Sequence, residues 1–265
     1  HQWFGDLVTC KSWSHLVINE GFASYGEQLW IEHKDGKDAA LRKSYNTVQR
    51  YLQYAKNTAD GPIVNFNYHD KEDMFNTLTF QKGSRVLHLL RSANGDEAFF
   101  LAIRNFLTTH AFGNADIDDL RREVEKVTGQ DYRPFFQQWF MRGGHPSIDV
   151  HYDYIDSAGL LAVTIEQIQD AETGLLQFPL TFKVTQGKLQ KNHTFPITRK
   201  KEVFYVQKLD EGQAERVDVI VDPESTFLGE IKDNKPFFNH ILTYNRAGSY
   251  IEKVRSLKEL STLQQ

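Results

Sequence analysis

His1 and Glu20 are the residues most readily turned to chemistry, an imidazole and a carboxylate with eighteen residues between them. Both are ordinary zinc ligands, and a catalytic zinc takes three protein ligands and keeps a fourth position for water. A His and a Glu at one spacing also recur by chance. At this level His1 stays open between a ligand and a solvent-exposed terminus, and Glu20 between a ligand and a helix-surface carboxylate. Cys10 is the only cysteine, so it makes no intrachain disulfide and no thiolate zinc cluster. A thiol nucleophile there would make an iodoacetamide-sensitive hydrolase, whereas a small buried apolar residue is the commoner role.

These residues need elements to hold them, and the pattern supplies helices first. Ser14 is expected to cap a helix through Leu16, Val17, Phe22, Tyr25, Leu29 and Trp30, ended by Asp35-Gly36. Ala40 to Ala55 repeats the helical spacing until Asp60-Gly61-Pro62 breaks it. Val86, Leu87, Leu89 and Leu90 mark another helix stopped near Asn94-Gly95, and Glu97 to Phe106 continues the pattern. Asp116, Asp118 and Asp119 place negative charge at a helix start, with Gly129 at its C-cap. After Gly143-Gly144-His145-Pro146 the period changes from helical to two, beginning with Ile148, Val150, Tyr152 and Tyr154. Similar runs at 161–165, 178–184, 194–197, 203–206 and 217–221 predict a small antiparallel β-sandwich. From about Pro236 the pattern is helical again.

The 265 residues suffice for two domains, and 40% hydrophobic, 25% charged and 13% aromatic content is ordinary for a globular chain. A formal net charge of -4 leaves no basic excess to displace counterions from phosphates, so nucleic acid is not an expected partner. No apolar run reaches the length of a membrane span, and the opening residues do not read as a signal peptide.

The run His1-Gln2-Trp3-Phe4-Gly5-Asp6-Leu7-Val8-Thr9, then Trp13, then Asn19-Glu20-Gly21-Phe22-Ala23-Ser24-Tyr25 closely resembles the zinc aminopeptidases of the aminopeptidase N family, which are gluzincins. In that family H-E-x-x-H on one helix supplies two histidine ligands and a general-base glutamate. A glutamate in an N-E-G-F run on the next helix completes the site at this same gap. The resemblance implies that His1 is the second histidine of the motif and Glu20 the third ligand. It implies Zn2+ as cofactor, a peptide as substrate, and hydrolysis of the N-terminal peptide bond by metal-activated water. It places the first histidine, the general-base glutamate and an amine-binding G-x-M-E-N segment ahead of residue 1. The chain is therefore expected to be a piece of a longer enzyme with two of three ligands and no general base, inactive alone and not holding zinc stably. Apolar surface left open by the cut is expected to favour self-association.

A second match runs through Pro62-Ile63-Val64, Met74-Phe75 and Phe80-Gln81-Lys82-Gly83 to Val86-Leu87-His88-Leu89-Leu90. The family carries a tyrosine before x-K-G whose hydroxyl stabilises the oxyanion, and here that position is Phe80. A phenyl ring packs similarly but donates no hydrogen bond. Losing one such donor costs about 3 kcal/mol, roughly a hundredfold or more in rate. A core aromatic is the plain alternative for Phe80, and Lys82, Gly83 and His88 read as structural. The fold implied is α+β and multidomain: the helical rear half of a thermolysin-like catalytic lobe over residues 1–145, a small antiparallel β-sandwich over 146–235, and the start of a helical domain over 236–265. The competing functional reading is a non-catalytic scaffold or binding module on a degenerate peptidase fold, with Phe80 as its support.

Overall fold

A 3-10 turn at Trp13–His15 runs directly into helix α1 (Val17–Asp35). Ser14 lies inside that turn, and the N-cap of α1 is Leu16, with no side-chain cap. The expected serine cap is replaced because the turn provides carbonyl partners: Leu16 N–H bonds to Trp13 O, and Asn19 and Glu20 N–H bond to Leu16 O. α1 gives way at Gly36 to α2 (Lys37–Asn57). The computed structural model describes residues 1–58, 60–207 and 217–262, and the chain divides into two compact units, His1–Gly144 and His145–Gln265.

In the first unit a π-helical turn, Leu78–Lys82, opens α3 (Gly83–Thr109), which is broken at Gly95, where φ is 75°. Strand β1 (Val8–Cys10) pairs in parallel with β2 (Gly113–Ala115). Helices α4 (Ile117–Thr128) and α5 (Arg133–Trp139) close the unit. The acidic helix start is as expected, and within it Asp116 caps α4 in a reciprocal capping box with Asp119. The core holds Val17, Ile18, Phe22 and Tyr25 of α1, Tyr51 of α2, and Val86, Leu87, Leu90 and Phe106 of α3, all buried. Each such side chain contributes about 1.5–3 kcal/mol on leaving water. The spacing of apolar residues on α1 and α3 thus fixes how the helix bearing Glu20 faces the turn bearing Phe80.

The second unit is built from strands β3 (Ser147–Ile155), β4 (Leu160–Gln167), β5 (Phe178–Gln186), β6 (Leu189–Ile197), β7 (Lys201–Gln207), β8 (Asp218–Val221) and β9 (Glu230–Asp233). They form a four-stranded sheet in the order β7-β4-β3-β9 and a three-stranded sheet in the order β6-β5-β8. The two-residue period is realised on β5, where Phe178, Leu180, Phe182 and Val184 are buried and Pro179 and Thr181 are not. The pairings are antiparallel except β3 with β9, which is parallel. The Asp222 carboxylate organises the approach to β9 by accepting from the Thr226 and Phe227 N–H groups. α6 (Phe237–Arg246) and α7 (Tyr250–Thr262) end the described chain. Thr243 donates to Asp218 at 2.9 Å and Lys183 to Glu252 at 2.6 Å, fastening these helices to the strands.

Candidate metal centre

His1 and Glu20 meet in the first unit. The His1 Nδ1 lies 3.0 Å from the Phe4 carbonyl oxygen. A carbonyl only accepts, so Nδ1 carries a proton, and Nε2 holds either a lone pair or, in the imidazolium, a second N–H. That Nε2 stands 3.2 Å from Glu20 Oε2. An imidazolium at this distance pairs directly with the carboxylate, whereas a neutral ring and the carboxylate need a cation between them. Ligands about 2.0 Å from a tetrahedral zinc lie about 3.3 Å from one another. The backbone carbonyl holding the other ring nitrogen is the support usual for a metal-ligating histidine. The pair therefore fits zinc in element, distance and orientation. Among the described residues no group of three His, Cys, Asp or Glu converges to hold a metal, so these two are a partial donor set.

The sequence builds this pair locally. Gly5 has φ 124°, and a Cβ there would come 3.1 Å from His1 Nδ1, so a side chain at this position would crowd the imidazole. The Phe4 ring stacks on Phe22 of α1 at 4.1 Å, pinning the loop to the helix that carries Glu20. Asn19 accepts the Cys10 N–H at 3.0 Å, joining β1 to the same turn of helix. Burial pushes the Glu20 carboxyl above its ordinary range, with the amino terminus opposing. Burial likewise raises the Cys10 thiol, the opposite of what a nucleophilic cysteine requires.

Phe80 sits half-buried in the π-helical turn, 6.4 Å between ring centroids from Phe75. Such turns concentrate at functional sites, because the extra residue re-aims a side chain. The turn is held against α1 by two glycines: a Cβ on Gly21 would lie 2.6 Å from Val17 Cγ2 and 3.3 Å from the Thr79 carbonyl, and one on Gly83 would lie 3.5 Å from Gly21 Cα. The element carrying Glu20 and the element carrying Phe80 thus touch through backbone. Sequence reasoning treated Gly83 alone as structural and missed its partner Gly21.

Lys82 anchors the turn from behind. Its Nζ is fully buried and donates to Asp60 Oδ1 at 3.1 Å and to the Gly144 carbonyl at 3.0 Å. Tyr51 donates to the other Asp60 oxygen at 2.6 Å. Burial lowers the lysine pKa while Asp60 opposes the shift. The match around Gln81-Lys82-Gly83 was the available signal, but the partner of Lys82 lies outside any local window. His88 packs where expected, its Nδ1 3.1 Å from the Tyr25 hydroxyl.

Comparison with known proteins bears on the same stretch of chain. Residues 1–139 match the peptidase family M1 domain. The chain belongs to peptidase family M1. Among M1 relatives it is 28% identical over 198 residues to aminopeptidase M1-D of Oryza sativa subsp. japonica, covering 72% of this chain and 22% of that protein. It is 34% identical over 164 residues to aminopeptidase N of Haemonchus contortus, covering 57% of this chain and 17% of the relative. The chain therefore spans about a fifth of the length of the M1 relatives it matches. Its fold is that of Legionella pneumophila aminopeptidase A, solved in complex with aspartic acid, with a TM-score of 0.78 at 16% identity over 98% of this chain and 29% of that one.

Proposed function

We propose that the first unit contributes two zinc ligands, His1 and Glu20, and the oxyanion-facing position, Phe80, to a metallo-aminopeptidase centre of the M1 type. The observation that carries this is the His1 Nε2 to Glu20 Oε2 separation of 3.2 Å with the other imidazole nitrogen tied to Phe4 O. Zinc, when bound, supplies Lewis acidity toward a peptide carbonyl and toward water. In this reading Phe4 orients the His1 ring, Glu20 adds a carboxylate, and Phe80 packs beside the reacting carbonyl without donating to it. In this reading the third ligand and the general base are those of the family's H-E-x-x-H segment, and among the described residues no third His, Cys, Asp or Glu converges with His1 and Glu20.

Phe80 favours a second reading, a scaffold that has kept the fold and lost the chemistry, since a phenyl ring stabilises no oxyanion. One experiment separates the two. The chain is mixed with a polypeptide carrying the family's H-E-x-x-H half-site, and zinc content and release of N-terminal residues are measured. The expected result is one zinc per chain, lost in Glu20→Gln, and a rate that rises roughly a hundredfold with Phe80→Tyr. Zinc uptake indifferent to Glu20 would refute the metal assignment. A Phe80→Tyr variant that is folded, zinc-loaded and still inactive favours the scaffold.

A further inference from the structure

β6 and β7 of the second unit each have one side without a neighbouring strand among the described residues, since the sheets run β6-β5-β8 and β7-β4-β3-β9. β6 joins β5 through a two-residue turn, Gly187-Lys188, with Gln186 opposite Leu189. The closing pair of such a hairpin exchanges hydrogen bonds, and opposed pairs then alternate along the ladder. Lys191, His193 and Phe195 therefore bond to β5, while the backbone groups of Gln190, Asn192 and Thr194 point away from the sheet. A proline blunts such an edge, but Pro196 does so only at the end farther from the turn. The side chains tell the same story. Lys191, His193 and Phe195 lie opposite Val184, Phe182 and Leu180, which are buried, so they look onto the space between the sheets. The Phe195 ring stacks on Phe204 of β7 at 4.3 Å. Beside that contact is a cleft of about 660 Å³, lined by Lys191, His193, Phe195, Tyr205 and Val206 among others.

We propose that the open edge of β6 takes an extended acidic segment of another protein as an added strand, with alternate side chains of that segment lying over the cleft. Charge selects the occupant. Residues 187–207 carry Lys188, Lys191, Arg199, Lys200 and Lys201 against the single acidic residue Glu202, in a chain whose formal net charge is -4. Of these, Lys201 already stands 3.9 Å from Glu166 of β4. A basic edge repels a second copy of itself, which is how lysines protect edge strands, and attracts an acidic strand. Main-chain hydrogen bonds to Gln190, Asn192 and Thr194 supply the affinity of such an addition, and the cleft supplies its selectivity. The segment that fits places carboxylates beside Lys191 and apolar side chains beside Phe195 and Val206, at alternate positions. None of this depends on the metal centre of the first unit.

The probe is the end-blocked peptide Glu-Thr-Glu-Thr-Val-Thr-Val, made also in reverse order, and its binding to the intact chain is measured by titration calorimetry. Binding is expected for one of the two orders, and lost when both glutamates are replaced by lysine. Lys191→Glu should weaken the acidic peptide about fivefold, the scale of reversing a cross-strand charge pair. N-methylation of the peptide reads the edge directly, because an added strand turns only every second N–H toward β6. Methylating one alternate set of amides should abolish binding, and methylating the other should spare it. Asn192→Pro removes an outward N–H and leaves the ladder to β5 intact, so it should abolish binding with an unchanged urea midpoint. If that variant misfolds, the methylated peptides on the unsubstituted chain decide the matter. Equal binding of both methylated sets would mean charge attraction without strand pairing, and overturns the proposal, as does failure of both orders to bind. A dimer of the chain that Asn192→Pro dissociates would give the edge to a second copy, and overturns it too.

Discussion

Two histidines of the first unit are shifted toward the neutral form by their surroundings. His15 is buried, and its Nδ1 accepts the Ile117 N–H at the start of α4, 3.4 Å away. Burial lowers its pKa below the ordinary 6.5, although Asp116, Asp118 and Asp119 oppose the shift. Burial, reinforced by Arg85 and Arg91, holds His88 well below the same value. A histidine with a lower pKa folded than unfolded binds fewer protons in the native state, so stability rises with pH between the two values. The first unit should therefore lose stability as pH falls below 6.5, by at most about 1.4 kcal/mol per pH unit for each histidine. His240 of the second unit is shifted in the same direction by burial, so the measurement is a comparison of variants. In urea unfolding across this range, His15→Gln and His88→Gln, which keep an acceptor, should each flatten the pH slope. Slopes identical to the parent would refute the assignment.

At the scale of elements, the contact between α1 and the turn before α3 depends on having no side chain at Gly21 and Gly83. The nearest obstacle to a new methyl group is Val17 Cγ2 at 2.6 Å, on a buried β-branched residue of α1. Valine in a helix has one strongly preferred rotamer, so it has little room to turn aside. Gly21→Ala should therefore destabilise the first unit by about 1–3 kcal/mol, the usual cost of overpacking. Val17→Ala in the same background should recover part of that loss, because it removes the clashing methyl. Urea midpoints of the single and double variants check both statements, and strict additivity would mean that the clash lies elsewhere. Lys82 and Asp60 act on the same turn from the opposite side. Removing either partner of a buried pair leaves the other desolvated, which makes this anchorage hard to change one residue at a time.

At the scale of the molecule, the first unit presents apolar surface of its own. Trp3, Trp30, Leu101 and Phe100 are exposed by 67%, 60%, 43% and 37%. A cavity of about 410 Å³ beside His1 is lined by Trp3, Phe22, Leu29, Phe99, Phe100 and Ile103. Contiguous apolar surface of this kind drives association. The chain at micromolar concentration should scatter light as oligomers, and Trp3→Ser with Phe100→Ser should move the distribution toward monomer. A monodisperse monomer of the unsubstituted chain would contradict this expectation.

Much of the architecture was legible in residue order, since helix stops, caps and strand alternation are local physics. Gly36, the Asp116–Asp119 box and the alternation along β5 each act within a few residues. That His1 and Glu20 meet was legible too, because a motif of tryptophan, glycine and asparagine surrounds them at a characteristic gap. Other features exist only once distant segments meet. Lys82 takes partners 22 and 62 residues away, Gly21 makes room for a carbonyl on another element, and β9 joins β3 in parallel from across the second unit. No local period encodes such contacts. They follow from which apolar faces bury together, and burial then lowers the Lys82 pKa against the opposing Asp60.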